Sequence, residues 1–171
     1  VELLDVVNEE DKVVDQAPRK QCHEEKLLHR GASIVVYRTP EKDKVLLQKR
    51  SEDKMNNPGE LCFTGGHVTS GDSYREGAEK EFFEELYSEE NGEIELEAVA
   101  KFRKTADDDH EFMKIFETVD SGPFNHGDEV AELKFMETGE LKRMAMESPE
   151  KFTGTTLRII EELENSQDSS L

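Results

Sequence analysis

The sequence predicts an α/β fold of the α+β type, in which a mixed β-sheet is flanked by helices. Three observations carry this. Short apolar, β-branched runs fill the first third of the chain; one well-marked helix interrupts them after residue 72; further strands follow before two helices close the chain. That order is not the βαβαβ alternation of a doubly wound sheet. At 171 residues the chain fits one domain, read as residues 1–164 with a flexible tail over 165–171.

Residues 3–7 and 13–15 flank an acidic turn at 8–11 and read as a hairpin. Residues 18–28 are charged and predict a turn of helix or an irregular link. The run 32–37 is apolar on both faces, as for a central strand, and the turn 39–43 leads to a second strand at 45–50. A polar loop with Asn56-Asn57-Pro58-Gly59 as its turn signal precedes a short strand at 61–64, which ends at Gly65-Gly66. The clearest helix begins at Ser73, because Ser73-Tyr74-Arg75-Glu76 has the capping-box form and Asp72 adds negative charge near the N-terminus. Ala78, Phe82 and Leu86 make its buried stripe, and Asn91-Gly92 is its expected stop. Strands are expected at 94–104, 111–119 and 133–136, with Asp107-Asp108-Asp109 in the turn between the first two. Helices at 138–147 and 155–164 are split by Pro149 and by Phe152-Thr153-Gly154.

A formal net charge of −19, from 41 acidic and 22 basic residues, opposes binding to long nucleic acid, whose affinity is mostly cationic. A small anionic substrate would need metal ions or a local basic patch. Two cysteines, Cys22 and Cys62, without zinc-like spacing suggest a reducing compartment. Neither a membrane-spanning run nor a signal-peptide pattern is visible, so the expected location is cytoplasmic. An edge strand or the C-terminal helices could serve a homodimer.

The informative segment runs from Gly65-Gly66-His67 through Gly71-Asp72 to Lys80-Glu81-Phe82-Phe83-Glu84-Glu85. Glu81, Glu84 and Glu85 stand at i, i+3 and i+4, within an arc of roughly 100° on one helix face. The arc borders the Ala78–Phe82–Leu86 stripe, which places the carboxylates at the edge of the core. Like charges so arranged repel, and a hard divalent cation resolves the repulsion while leaving sites for phosphate oxygens. Other acidic pairs, such as Glu9-Glu10 and Glu161-Glu162, lack a Glu three residues earlier and read as solvated surface. Glycines just before the helix supply a loop that turns sharply and lets backbone approach a ligand.

This segment resembles the Nudix box. Gly66 opens it, Asp72 stands where a Glu is expected, Lys80-Glu81 replaces Arg-Glu, Phe82 is the apolar position, and Glu84-Glu85 match in place. Tyr87 replaces the closing Gly, so the helix is expected to run on toward Gly92. The resemblance implies the Nudix fold, an α/β/α sandwich, and an enzyme that hydrolyses a diphosphate linkage. It implies Mg2+ or Mn2+ on Glu81, Glu84 and Glu85, with the Gly65 carbonyl as a backbone ligand and Gly66, Asp72 and Lys80 as structural members. One Glu serves as base, either Glu85 or Glu111. Arg50 and Lys49 are the candidate phosphate contacts, Arg50 by bidentate hydrogen bonds, and His67 is placed with them beside the substrate.

The chain is also similar to the isopentenyl-diphosphate-isomerase-like branch over about residues 3 to 155. His29 and His67 match histidines of that branch's metal site, His23 is a third with imperfect spacing, and Asp109 and Glu111 match its carboxylates. Its catalytic Cys position is Gly65 here, and Cys62, three residues earlier on a strand, is expected on the opposite face. Phe102-Arg103-Lys104 stands where its Tyr is expected. A third alternative is a Nudix-shaped binding module without catalysis, to which Asp72, Lys80 and Tyr87 would point.

Overall fold

A computed structural model of the chain describes residues 1–53, 58–106 and 109–165, with 105, 106 and 109 described by backbone alone. The Asn56-Asn57 turn signal, Asp107, Asp108, the Asp109 side chain and the tail from 166 onward lie outside the described residues. The chain opens with the expected hairpin, β1 (Leu3–Val7) and β2 (Val13–Pro18), and a short helix, α1 (Arg19–Glu24). There follow β3 (His29–Tyr37), β4 (Lys44–Arg50), β5 (Leu61–Cys62), β6 (Thr64–His67) and α2 (Tyr74–Tyr87). The second half holds β7 (Glu97–Ala106), β8 (Asp109–Val119), β9 (Val130–Glu137), α3 (Thr138–Glu147) and α4 (Gly154–Glu164).

Strand β3, buried over nearly its whole length, is the axis of a mixed sheet ordered β5-β4-β3-β8-β7, with β6 also on β3 and β9 on β4. Its ladder with β8 is parallel and continuous from His29↔Glu111 to Tyr37↔Val119. Its other edge is shared. At one end Tyr37 pairs with Val45 of β4; at the other, residues 31–34 pair with β6. The sheet therefore forks between β4 and β6.

Both faces of a strand this apolar must be covered. On one side Val35, Leu47, Phe63 and Ile115 pack against Leu141 of α3 and Ile159, Ile160 and Leu163 of α4. On the other, Ile34, Val36, Leu46 and Phe116 meet Ala78, Phe82 and Leu86 of α2, the stripe expected from four-residue spacing. The result is an α/β/α sandwich. Among the described residues, no helix is long and apolar enough to cross a membrane.

Two expectations are corrected. Helix α2 stops at Tyr87 rather than running on to Asn91-Gly92: Ser88 adopts the left-handed conformation at φ 55° and ψ 36°, and its N–H donates to the Phe83 carbonyl. Gly92 has a packing role instead, since a Cβ there would lie 2.5 Å from the Phe83 ring. The short strand expected at 61–64 is two strands broken at Phe63, with β5 on β4 and β6 on β3, so Gly65 and Gly66 lie inside β6.

The N-terminal hairpin is tied down at its turn. Asp11 accepts hydrogen bonds from Arg30 Nε at 2.8 Å, Tyr74 Oη at 2.7 Å and Lys101 Nζ. Its carboxylate is 8% exposed and thus largely shielded from water, where such charge-assisted bonds are strong.

Candidate functional site

The capping box at the start of α2 is complete: Ser73 Oγ accepts from the Glu76 N–H, and Glu76 Oε1 accepts from the Ser73 N–H at 3.0 Å. Lys80 Nζ reaches Asp72 Oδ2 at 2.6 Å and clips the loop onto the helix. From this start the turn of the helix presents Glu81 and Glu85 half-buried and Glu84 exposed at the rim. The glycines of β6 make room for them. A Cβ on Gly66 would lie 2.6 Å from the Glu81 carboxyl carbon, and one on Gly65 would strike the Ala32 carbonyl at 2.5 Å. Glycine is demanded here by close approach rather than by a turn.

Glu85 Oε2 accepts from Gln48 Nε2 at 2.6 Å, and that amide also donates to Thr64 Oγ1 at 2.8 Å. Glu85 further accepts a backbone hydrogen bond from Gly65 and shares one with the Glu81 carboxyl. Burial, then the Glu84 charge, pushes the Glu81 carboxyl up to about 7. Burial, then Glu81, holds Glu85 well above the ordinary carboxylate range. Two carboxylates this close keep a proton between them. A hard divalent cation that replaces the proton satisfies the same oxygens, so the residues present fit Mg2+ or Mn2+.

Facing this edge is a second cluster. His23 of α1, His29 of β3 and His67 of β6 bring ring nitrogens within 4.8 Å of one another. The β3–β8 register sets His29 beside Glu111, and Glu111 Oε2 lies 3.6 Å from His29 Nε2 and 3.4 Å from His67 Nδ1. The Leu27 carbonyl, 2.8 Å from His29 Nδ1, fixes the proton there and turns the Nε2 lone pair toward Glu111. Gly31 leaves the space for that carboxylate, because a Cβ would sit 2.7 Å from its Oε2. Imidazoles suit transition metals. His23, with its imperfect spacing, thus joins His29 and His67.

Glu81 and Glu85 of the first cluster and His23, His67 and Glu111 of the second line one cavity of about 360 Å³. Three cations also line it, Arg19 of α1, Arg50 of β4 and Lys104 of β7. They form the local basic patch that an acidic chain needs for an anionic substrate, and Lys104 Nζ is 3.3 Å from Glu111 Oε1. Lys49 does not join them: side chains alternate along a strand, and on β4 it is Gln48 and Arg50 that line the cavity. Cys62 was expected on the far face, yet it lines the same cavity, because the break at Phe63 resets the alternation. Burial and then Glu85 push its thiol up to about 11, so it stays protonated and non-nucleophilic at neutral pH. The residues that sequence reasoning overlooked are Gln48, Arg19, Lys104 and Gly31. A polar Gln inside an apolar strand run was the available signal for Gln48; the others depend on strand register.

The NUDIX domain family model matches residues 27–154. An uncharacterized Nudix hydrolase of Yersinia pestis is 41% identical over 87 residues, covering 50% of this chain and 47% of the relative. Human isopentenyl-diphosphate delta-isomerase 2 is 41% identical over 63 residues, covering 34% of this chain and 27% of the isomerase. The chain thus spans about half the length, or less, of these curated relatives. Among solved structures, DR0079 of Deinococcus radiodurans superposes with a TM-score of 0.76 at 22% identity, over 94% of this chain and 98% of that one. The NUDIX domain of Shewanella oneidensis NrtR, complexed with ADP ribose, gives 0.56 at 15% identity over 81% and 86%. The family match spans three quarters of the chain and contains every carboxylate of α2 described above: the chain belongs to the Nudix family.

Proposed function

We propose that this chain is a metal-dependent Nudix hydrolase that cleaves a diphosphate linkage in a small molecule. The observation that carries the reading is the pairing, in one cavity, of self-repelling carboxylates with three cations. Glu81, Glu84, Glu85 and the Gly65 carbonyl would hold Mg2+ or Mn2+. The bound ion supplies charge neutralisation and an acidified water. Arg50, Arg19 and Lys104 bind and orient phosphate oxygens across the cavity, Arg50 in bidentate fashion.

For the base, the geometry favours Glu85 over Glu111. Glu111 is turned to other partners: Oε1 lies 3.3 Å from Lys104 Nζ, and Oε2, without a hydrogen bond, faces His29 and His67. Glu85 has a raised proton affinity, and Gln48 holds one of its oxygens in place. A carboxylate oriented in this way beside the cation site is placed to take a proton from an attacking water. His67, beside Glu111 and close enough to Glu81 to act on its charge, lies between the two clusters and could contact the substrate.

A second reading attaches to His23, His29, His67 and Glu111, which would hold a transition metal as in the isomerase-like branch; the partial match to the human isomerase supports it. The decisive test is phosphate and nucleotide release from a panel of diphosphate compounds with Mg2+ or Mn2+, comparing wild type with the Glu84→Gln/Glu85→Gln double variant. Metal-dependent cleavage abolished in the variant is the expected result. No turnover despite tight metal and ligand binding by the wild type would indicate a binding module, provided isoprenoid-diphosphate isomerisation is also blank.

A further inference from the structure

We infer that Glu2, which immediately precedes β1 and lies outside the Nudix box, is a further carboxylate ligand of the metal centre on α2; the inference rests on the hydrolase reading above. Glu2 lines the 360 Å³ cavity together with Glu81 and Glu85. It also lines an adjoining cavity of about 200 Å³ with Glu81, Glu84, Lys80 and His67. It is the residue common to both spaces that comes from outside β6 and α2.

Its position is built rather than incidental. Leu4 bridges Thr69, the Ser70 N–H donates to the Leu3 carbonyl at 2.8 Å, and Asp5 accepts from Ser70 Oγ at 2.6 Å and from the Gly71 N–H at 3.1 Å. The loop so stitched to β1 is the one that opens α2. Thr69 Oγ1 then donates to Glu2 Oε1 at 3.3 Å. The Glu2 charge acts on both Glu81 and Glu84. Lys80, the cation lining the smaller cavity, is already joined to Asp72 at 2.6 Å.

A fourth carboxylate set against three others is repelled unless a cation joins them. A buried carboxylate oxygen beside the histidines of the 360 Å³ cavity also lacks a hydrogen bond: Glu111 Oε2, on a side chain 3% exposed. Hard divalent ions take six or more oxygen ligands and fill with water what the protein leaves open, so an ion on α2 has room for a further carboxylate.

The test is Mn2+ binding without substrate, followed by loss of the free-ion electron paramagnetic resonance signal, in wild type, Glu2→Gln and Glu81→Gln. Glu2→Gln is expected to weaken Mn2+ binding about tenfold, the lower end of what removing a supporting group costs. The loss should persist in high salt, which screens a remote charge but not a direct ligand. Unchanged affinity in Glu2→Gln, or a loss that vanishes in high salt, overturns the inference while leaving the α2 centre standing. Absence of Mn2+ binding by wild type, or no effect of Glu81→Gln, overturns the hydrolase reading with it. Glu2 is exposed, so the variant should fold normally, and an unchanged metal-free melting curve checks this.

Discussion

Two groups of potential metal ligands face each other across one cavity, and they are held by opposite means. On α2 the ligands are alike in charge, successive in sequence and mutually repelling, and a shared proton keeps Glu81 and Glu85 together. In the histidine cluster the ligands are uncharged when deprotonated and come from α1, β3 and β6, with Glu111 from β8. Their rings stack and tilt on one another at centroid distances of 5.1 to 5.7 Å. The first group has a geometry set by one helix and an energy that invites a cation. The second has a geometry set by the register of the sheet and gathers less like charge. Metal should therefore govern the state of the α2 edge more than that of the histidines.

The largest expected effect breaks the first group. Glu85→Gln keeps the side-chain volume and a partner for Gln48 but removes proton uptake, so kcat for diphosphate hydrolysis should fall by about 10²–10⁴-fold. A drop below tenfold in steady-state assays would return the role of base to Glu111. Next, His29→Asn should strip transition metal from the histidine cluster, with a loss of roughly 10–100-fold in Zn2+ affinity by competition titration. If Mg2+-stimulated turnover survives within a few-fold, the two groups are independent; if both fall together, the cavity holds one linked centre.

How much of this contrast was visible beforehand follows from the same difference. Glu81, Glu84 and Glu85 were legible because helical periodicity converts spacing directly into a shared face, and Ser73 with Glu76 marked where that helix starts. The layer order was legible from the strand and helix runs. His23 was not, because its distance from His29 and His67 depends on how α1 folds back over β3, and sequence spacing does not specify that. Lys49 stands one step of the strand alternation away from the residues that line the cavity, and Cys62 enters it through a strand break that nothing local announces. The αL exit at Ser88 was missed because a serine there competes poorly with Asn91-Gly92 on preference alone.

Paired glycine substitutions sharpen the contrast. Gly66→Ala drives a methyl into the Glu81 carboxylate, and Gly31→Ala drives one into Glu111. Each should cost about 1–3 kcal/mol by overpacking, measured by urea denaturation. Gly66→Ala should weaken Mn2+ binding selectively and Gly31→Ala Zn2+ binding. The smallest effect is on pH dependence. Glu81 titrates at about 7 in the fold against 4.5 for an ordinary Glu, so protonation favours the folded state. The metal-free protein should be most stable below about pH 4.5 as far as this group is concerned, and should lose that contribution as pH rises through about 7. Melting scans should show Tm falling over that window by a few degrees, and millimolar Mg2+ should flatten the fall. A pH-independent metal-free Tm would mean that Glu81 is not held against Glu85 in solution.

The fork in the sheet has a mechanical consequence. Strand β4, carrying Gln48 and Arg50, joins β3 through the single pair Tyr37↔Val45 beyond which the strands part, while β6 and β8 grip β3 along longer ladders. Gln48, Arg50 and Cys62 thus sit on one jaw, and Gly66, His67 and Glu111 on the other. The Gln48–Glu85 hydrogen bond is one of the ties across the gap. A ligand that touches Arg50 and the α2 carboxylates at once would work as a splint, stiffening the molecule along a seam where backbone pairing is sparse.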